Sequence, residues 1–166
     1  MKLDVKRYGI PFLPRFGLRL FLDQSLDRVR YCGMGPDESY PDKHQASWHG
    51  IFEGDVRAMH RPYLKPQEYG SHWDCSWCEL SGEEMSFQAS SKEGFMFQAC
   101  EYTQEELSEK AHDFELKEAG CTVLCLDHNQ SGIGSGSCGP QLLEKYQFNE
   151  PEFSRTWVIT PGKRKE

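Results

Sequence analysis

The sequence contains no long apolar segment, and its first residues lack the apolar core of a signal peptide. The mean hydropathy of the chain is −0.71, and no apolar run approaches the length that crossing a bilayer requires. These absences predict a cytoplasmic protein that has no membrane partner. The prediction about export holds only if Met1 is the natural start of the polypeptide.

Basic residues are also scarce. The chain carries 19 lysine and arginine residues against 26 acidic ones, which gives a formal net charge of −7. Proteins that bind the phosphate backbone need a basic surface, so the charge argues against nucleic acid as a partner. The one basic run, Lys163 to Lys165, lies at the end of the sequence, and residues 161–166 are interpreted as a flexible basic tail.

Cysteine is present seven times, an odd number, mostly inside apolar stretches. Cys75 and Cys78 have the spacing of a zinc pair, and Cys121 and Cys125 are further candidate ligands. On a strand, however, residues three apart point to opposite faces, and residues four apart are separated by about 13 Å. We therefore interpret the cysteines as small buried apolar residues and predict no metal and no cofactor in this chain, with zinc as the less favoured interpretation.

Alternating apolar residues predict most of the secondary structure. In segment 12–22, Leu18, Leu20 and Leu22 share one face, and Arg19 lies on the other. Segments 84–90 and 95–100 are predicted to form a hairpin around residues 91–94. The whole pattern contains about ten short strands without a βαβ rhythm, which predicts an all-β, antiparallel sandwich in a single domain over residues 1–160.

One short helix is predicted near residues 104–112. Thr103 and Glu106 have the spacing of a capping box at its start. Apolar side chains follow at helical spacing, and the residues predicted to face the core are Leu107, Ala111 and Phe114.

The stretch Cys121 to Pro140 combines an apolar strand with a glycine-rich loop. The strand runs to Leu126, and glycines follow at positions 132, 134, 136 and 139. A turn needs only about two to five residues, so this longer loop calls for another explanation. A polar loop at the end of a rigid strand is a typical place for ligand contacts.

The order of five motifs carries a resemblance that spans about Leu13 to Ile159. The motifs are LPRFGLRL, YCGMGPDESYPDKHQAS, YLKPQEYGSHWDCSWCEL, YTQEELSEKAHDFEL and LDHNQSGIGSGSCGP. This succession resembles the C-terminal, small-chain domain of bacterial β-galactosidases of glycoside hydrolase family 2, and the chain matches roughly the second half of that domain. The resemblance implies part of a galactose-mutarotase-like supersandwich.

The resemblance also implies which chemistry belongs elsewhere. The family hydrolyses terminal β-galactosides with retention, using two glutamates about 5 Å apart that reside in a separate barrel domain. No residue of this chain is therefore expected to be catalytic, and the isolated chain is predicted to be inactive. The implied partner is the catalytic barrel domain, or the large chain where the enzyme is split.

In the family, the glycine-rich loop reaches the sugar-binding wall on the leaving-group side. Some members carry a tryptophan there that stacks on the sugar, whereas this chain has Cys138 in a loop one residue shorter. A thiol lacks the flat face of an aromatic ring, so stacking is not expected here. The predicted saccharide contacts are Ser135, Gly136, Ser137, Cys138 and His128.

Several polar residues near these motifs allow two interpretations. Asp127 and His128 are strand neighbours that point to opposite sides, which favours structural roles over a catalytic pair, although either could touch a ligand. Glu38 and Asp42 could bind a hard cation, but holding their loop together or pairing with basic residues of a neighbouring domain is favoured.

Three further polar residues also allow two interpretations each. Gln67 and Glu68 could face a sugar or fix the turn at Pro66. Glu150 follows an asparagine, as many glycosidase acids do, but a turn before Pro151 is the favoured interpretation.

Two classes of function follow. The first is a non-catalytic domain that completes the active-site rim and assists the assembly of a β-galactosidase. The alternative is a stand-alone carbohydrate-binding or protein-interaction β-sandwich without hydrolase activity. In either case the sheet edges normally covered by the missing half predict self-association of the isolated chain.

Overall fold

The computed structural model describes residues 1–134 and 139–163. Within these ranges the chain forms nine β-strands, one α-helix and three 3-10 turns. The strands are β1 (Lys2–Lys6), β2 (Arg15–Leu22), β3 (Arg28–Gly35), β4 (Trp48–Asp55), β5 (Ser71–Ser81), β6 (Met85–Cys100), β7 (Thr122–Gln130), β8 (Glu152–Thr156) and β9 (Val158–Lys163). The helix α1 is Gln104–Glu109, and the 3-10 turns are Arg57–Met59, Asp113–Glu115 and Glu144–Tyr146.

Seven strands form one antiparallel sheet in the order β2-β7-β6-β5-β3-β4, with β9 added beside β6. The strands β1 and β8 form a second, two-stranded antiparallel sheet. None of the helices in the described ranges has the length and apolar character needed to span a membrane. The all-β, antiparallel class with one short helix, predicted from the alternation of apolar residues, is confirmed.

The two sheets pack together through a shared core. Leu3 of β1 and Trp157, which lies between β8 and β9, join the main core cluster of the large sheet. Trp157 is completely buried, as are Leu124 and Phe97 from the central strands. Burial of such large apolar side chains is the main favourable contribution to folding. The core therefore lies between the two layers of a sandwich.

Strand β7 is buried on both of its faces. Leu124 and Leu126 point into the main core, while Val123 packs with Leu107 of α1 in a second cluster. The sequence of a strand that is covered on both faces is a continuous apolar run, without the alternation of a half-buried strand. This arrangement explains the unbroken apolar sequence that precedes the glycine-rich loop.

The hairpin predicted around residues 91–94 is wrong. Residues 85–100 form one strand, β6, which pairs with β5 on one side along most of its length. Its first half pairs with β9 on the other side, and its second half pairs with β7. The polar residues at 91–94 lie where the neighbour of β6 changes from β9 to β7, and they do not mark a reversal of the chain.

Part of the predicted basic tail is also ordered in a strand. Pro161, Gly162 and Lys163 pair with residues 85–87 of β6 as the end of β9. Proline lacks an N–H, and β9 has one strand neighbour, so Pro161 is compatible with this edge position. Residues 164–166 lie outside the described ranges.

The helix is shorter than predicted and its cap is half formed. The Thr103 hydroxyl accepts a hydrogen bond from the Glu106 N–H at 3.1 Å, but the Glu106 carboxylate accepts from the Lys117 N–H at 2.9 Å instead of turning back to Thr103. The helix ends at Glu109, so Ala111 and Phe114 lie beyond it. Both are exposed, which makes their predicted core positions wrong, whereas Leu107 is buried as expected.

This difference predicts contrasting effects of truncation at two apolar positions. Leu107→Ala should lower the free energy of unfolding by about 2–4 kcal/mol, because a buried leucine leaves a cavity. Phe114→Ala should change it by less than about 0.5 kcal/mol, because that ring is 84% exposed. Urea denaturation of both variants measures the difference, and a larger effect at Phe114 would contradict the packing described for α1.

Candidate functional site

The stem of the glycine-rich loop is fixed on two sides by backbone contacts. The Ser131 N–H donates to the Pro14 carbonyl at 2.8 Å, and the Gly132 N–H donates to the Tyr146 carbonyl at 3.0 Å. The buried Ser131 hydroxyl donates to the Leu13 carbonyl at 2.6 Å and accepts from the Phe148 N–H at 3.0 Å. These bonds join three separate chain segments where β7 ends.

Asp42 holds the next two residues of the loop. Its carboxylate accepts hydrogen bonds from the Ile133 N–H at 3.0 Å and from the Gly134 N–H at 2.9 Å. The sequence favours two roles for Asp42, holding its own loop or pairing with a neighbouring domain. The structure extends that role, because the partners of Asp42 lie in the glycine-rich loop, about ninety residues later in the chain.

Glu38 holds the loop on which Asp42 stands. Its carboxylate accepts from the Gly70 N–H at 2.8 Å and also contacts the Lys43 ammonium and the Tyr63 hydroxyl. Burial raises the pKa of Glu38, but these hydrogen bonds outweigh burial and lower the pKa below its ordinary value. Of the alternatives open for Glu38, the structure favours cross-linking of loops within the chain.

A charged triad lies beside the loop stem, formed by Arg15, Glu68 and Asp127. Arg15 Nη1 donates to Glu68 Oε2 at 2.7 Å, and Arg15 Nη2 donates to Asp127 Oδ2 at 2.5 Å. Gly17 lets β2 approach this carboxylate, because a Cβ there would lie 2.3 Å from Asp127 Oδ1. The start of β2, the end of β7 and the loop before β5 are thereby linked through one guanidinium group.

Burial has the largest single effect on the pKa of each member of this triad. It raises the pKa of Glu68 to about 7, against an opposing effect of Arg15, while the second Glu68 oxygen has no hydrogen-bond partner among the described residues. Burial likewise raises the pKa of Asp127, although Arg15 opposes it. For Arg15 itself, burial lowers the pKa, but the two carboxylates raise it above the ordinary value and keep the guanidinium charged.

An open cleft of about 610 Å³ lies beside the loop stem, and Glu68 is the member of the triad that lines it. Gln67 and Glu68 line one part of the cleft, so both contribute to a concave surface, as one of the two sequence interpretations proposed. The cleft combines apolar walls with amide and carboxylate groups, which is the composition of many sites for small polar molecules. Its lining includes Phe12, Pro14, Glu68, Gln130, Gly132 and Leu142.

His128 lies on the other face of β7 from Asp127, as the strand alternation predicts. Its ring stacks on Phe153 with centroids 4.3 Å apart, and its Nδ1 accepts from Arg155 Nε at 2.8 Å. Burial, followed by the charge of Arg155, lowers the pKa of His128. The imidazole is therefore packed among side chains and does not line the cleft.

Glu150 lies near His128 at the surface. Its carboxylate is 3.4 Å from His128 Nε2 and its side chain is 46% exposed. It stands between the 3-10 turn Glu144–Tyr146 and β8. These surroundings agree with the turn that the following proline indicates.

The prediction that Cys75 and Cys78 point to opposite faces of a strand is wrong. Cys75 and Cys78 are both buried in the same core cluster, although they are three residues apart. Irregular pairing of β5 on either side of Cys75, with Asp74 at a φ of 53°, breaks the alternation of faces. Within the described residues, no group of three or more histidine, cysteine or acidic side chains could hold a metal ion.

The predicted saccharide contacts are only partly placed by the structure. Ser135, Gly136, Ser137 and Cys138 lie outside the described residues. The triad and the Asp42 contacts were missed by sequence reasoning, because each joins residues that are far apart in the chain. A single arginine at the start of a strand carries no sequence signal for two carboxylate partners far along the chain.

The fold and this site define an antiparallel β domain that presents a glycine-rich loop beside a polar cleft. Residues 1–159 match the model of the family described as the β-galactosidase small chain, and the chain belongs to that family. The resemblance drawn from the order of the five motifs is therefore confirmed.

The curated relatives are β-galactosidases. The chain is 46% identical over 144 residues to one from Actinobacillus pleuropneumoniae, covering 87% of this chain and 14% of that protein. It is 39% identical over 146 residues to one from Staphylococcus xylosus, covering 87% of this chain and 15% of the relative. For one from Kluyveromyces lactis the identity is 33% over 152 residues, covering 89% and 14%. The chain thus spans about one seventh of the length of these relatives.

The triad predicts a specific dependence of stability on pH. Because the folded pKa of Glu68 is raised from 4.5 to about 7, its stabilising contribution is present below about pH 4.5 and is lost as the pH rises through 7. Relative to Glu68→Gln, the free energy of unfolding of the unmodified protein should fall over this window by on the order of 2 kcal/mol.

Urea denaturation across this pH range measures the effect. Glu83→Gln removes an exposed carboxylate in a turn and serves as the matched control, which should follow the unmodified protein. Parallel stability curves for the unmodified protein and Glu68→Gln would contradict the assignment of a buried, proton-binding Glu68.

Proposed function

We propose that this chain is a non-catalytic, C-terminal part of a β-galactosidase that hydrolyses terminal β-D-galactosides with retention. In this proposal the catalytic glutamates belong to a barrel domain or a large chain, and the glycine-rich loop contributes to the leaving-group side of the sugar site. Family membership supports the enzyme context. The observation that carries the role of the loop is its stem, which is held by three separate segments of the chain.

A held stem suits a loop that must present its tip in one place. Ser131 and Gly132 are bonded to the segments before β2 and before β8, and Asp42 binds the two residues that follow. Pre-organised contacts lower the entropy lost when a ligand binds. We propose Cys138 and Ser137 as the sugar contacts and Ser135 and Gly136 as residues that shape the turn.

His128 has a structural part in this proposal besides its predicted contact with the saccharide. Its stacking on Phe153 and its bond from Arg155 support the end of β7, where the loop begins. Asp127 supports the same strand end from the opposite face through Arg15. The two residues thus brace the strand from both sides.

The sheet edges support a role in assembly. Strand β4 forms one end of the strand order, and its Trp48 and Ile51 side chains are 59% and 60% exposed. Open strand edges with apolar side chains are surfaces on which further strands or chains pair. We propose that the remainder of the enzyme covers such surfaces, and that the isolated chain self-associates through them.

The role of the loop predicts an effect of Cys138→Trp in the complete enzyme that carries this chain. A large aromatic face at this position should stack on the leaving group and change kcat/KM for aryl and disaccharide substrates by about tenfold relative to one another. Steady-state kinetics on several galactosides measures this ratio, and Cys121→Ser, a matched cysteine substitution outside the loop, should leave it unchanged. Specificity constants that Cys138→Trp leaves unchanged for all of these leaving groups would remove Cys138 from the site.

The isolated chain is expected to have no β-galactosidase activity, because the proposed catalytic residues lie in another part of the enzyme. A chromogenic galactoside assay on the purified chain measures this, with the complete enzyme as the positive control. Turnover that disappears in Glu150→Gln would contradict the proposal. Galactose binding by the chain, without turnover, would favour the stand-alone binding module.

A further inference from the structure

The carboxylate of Asp42 uses both of its oxygens on consecutive backbone amides of another loop. Oδ1 accepts from Ile133 N at 3.0 Å, and Oδ2 accepts from Gly134 N at 2.9 Å. We propose that Asp42 is a positioning residue for the reaction, which fixes the point where the glycine-rich loop leaves its stem. This inference rests on the proposed function of the loop.

A carboxylate is well suited to this task. It is an acceptor with two oxygens in a rigid plane, so it can satisfy two neighbouring N–H groups at once. Hydrogen bonds to an ionised acceptor are stronger than those between neutral groups. An asparagine of the same shape has one oxygen, so it can accept from only one of the two amides.

Because Gly132 has no side chain, the Asp42 carboxylate can lie close to the backbone of the glycine-rich loop. A Cβ at Gly132 would lie 2.4 Å from the Asp42 Cγ and 2.6 Å from the Leu142 Cδ1. Real Cβ atoms do not approach so near, and a side chain here would push Asp42 or Leu142 aside. Asp42 and Gly132 therefore act as one unit, although they belong to different motifs.

The turn that carries Asp42 is itself anchored in the protein. The Tyr40 N–H donates to the Lys43 carbonyl at 2.8 Å, and the Lys43 N–H donates back to the Tyr40 carbonyl at 3.0 Å, so Asp42 sits in a closed four-residue turn. The Tyr40 side chain is completely buried, and Glu38 ties the same segment to Gly70. A movable support could not set the position of another loop, whereas this one is joined to the core.

The contacts of Asp42 can be tested directly by hydrogen exchange in the complete enzyme. In Asp42→Asn, exchange at one of the two amides, Ile133 or Gly134, should accelerate by about tenfold, because that amide loses its acceptor. Asp37→Asn makes the same chemical change in the same loop, but Asp37 binds Arg61 at 2.6 Å, so exchange at 133–134 should not change. Peptides from β5 and β6 should exchange as before and report that the fold is intact.

A second variant reaches the same contact from the other side. Gly132→Ala should also accelerate exchange at Ile133 and Gly134, because the added methyl group displaces the carboxylate. The effects should not add in the double variant, since both changes act on the same contact between residue 42 and the two amides. Unchanged exchange in both single variants would overturn the assignment of Asp42 while leaving the proposed role of the loop intact.

Kinetics then separate positioning from simple stabilisation. Asp42→Asn should reduce kcat/KM by about tenfold for galactosides with large leaving groups and by less than twofold for those with small ones, mainly through KM. A uniform loss, or no loss, together with accelerated exchange would overturn the positioning role. If Cys138→Trp also leaves the specificity constants unchanged, the proposed function of the loop is contradicted as well. If Cys138→Trp changes them while Asp42→Asn does not act selectively, only the positioning role of Asp42 is contradicted.

Discussion

The burial of β7 on both faces is the constraint on which the rest of the structure depends. Leu124 and Leu126 belong to the main core, and Val123 belongs to the cluster under α1. A strand fixed between two apolar layers has little freedom to shift its register, because a shift by one residue would exchange the two faces. The end of this strand is consequently a stable platform for the loop that follows.

Charged and polar side chains follow directly after the apolar residues of β7. Asp127 is the first acidic side chain of β7, and it is buried only because Arg15 meets it. A buried carboxylate without a partner would be strongly destabilising, and the guanidinium group also links Glu68 to the same point. The strand end is thus joined to the loop before β5 through charge, and to the Asp42 turn through the glycine-rich loop.

The sequence was informative where a signal is local and uninformative where it depends on distant partners. The alternation in β2, the start of α1 at Thr103 and the strand before the glycine-rich loop follow from periodicity and capping, and the structure contains all three. The length of β6 and the common face of Cys75 and Cys78 depend on changes of neighbour and irregular pairing, which periodicity does not encode. A local sequence pattern cannot predict the contacts of Asp42 and Arg15. The partners of Asp42 are about ninety residues away in the chain, and those of Arg15 are more than fifty residues away.

The pairing of β1 with β8 has a consequence for how the chain folds. Leu3 lies opposite Arg155, so the small sheet joins residues about 150 positions apart and closes only after β8 has been made. Contacts between residues so distant in sequence carry a large loop-closure entropy and slow the folding reaction. Before β8 pairs with β1, the part of the main core that Leu3 and Trp157 contact in the folded domain is not yet covered by the small sheet, and uncovered apolar surface of this kind promotes aggregation.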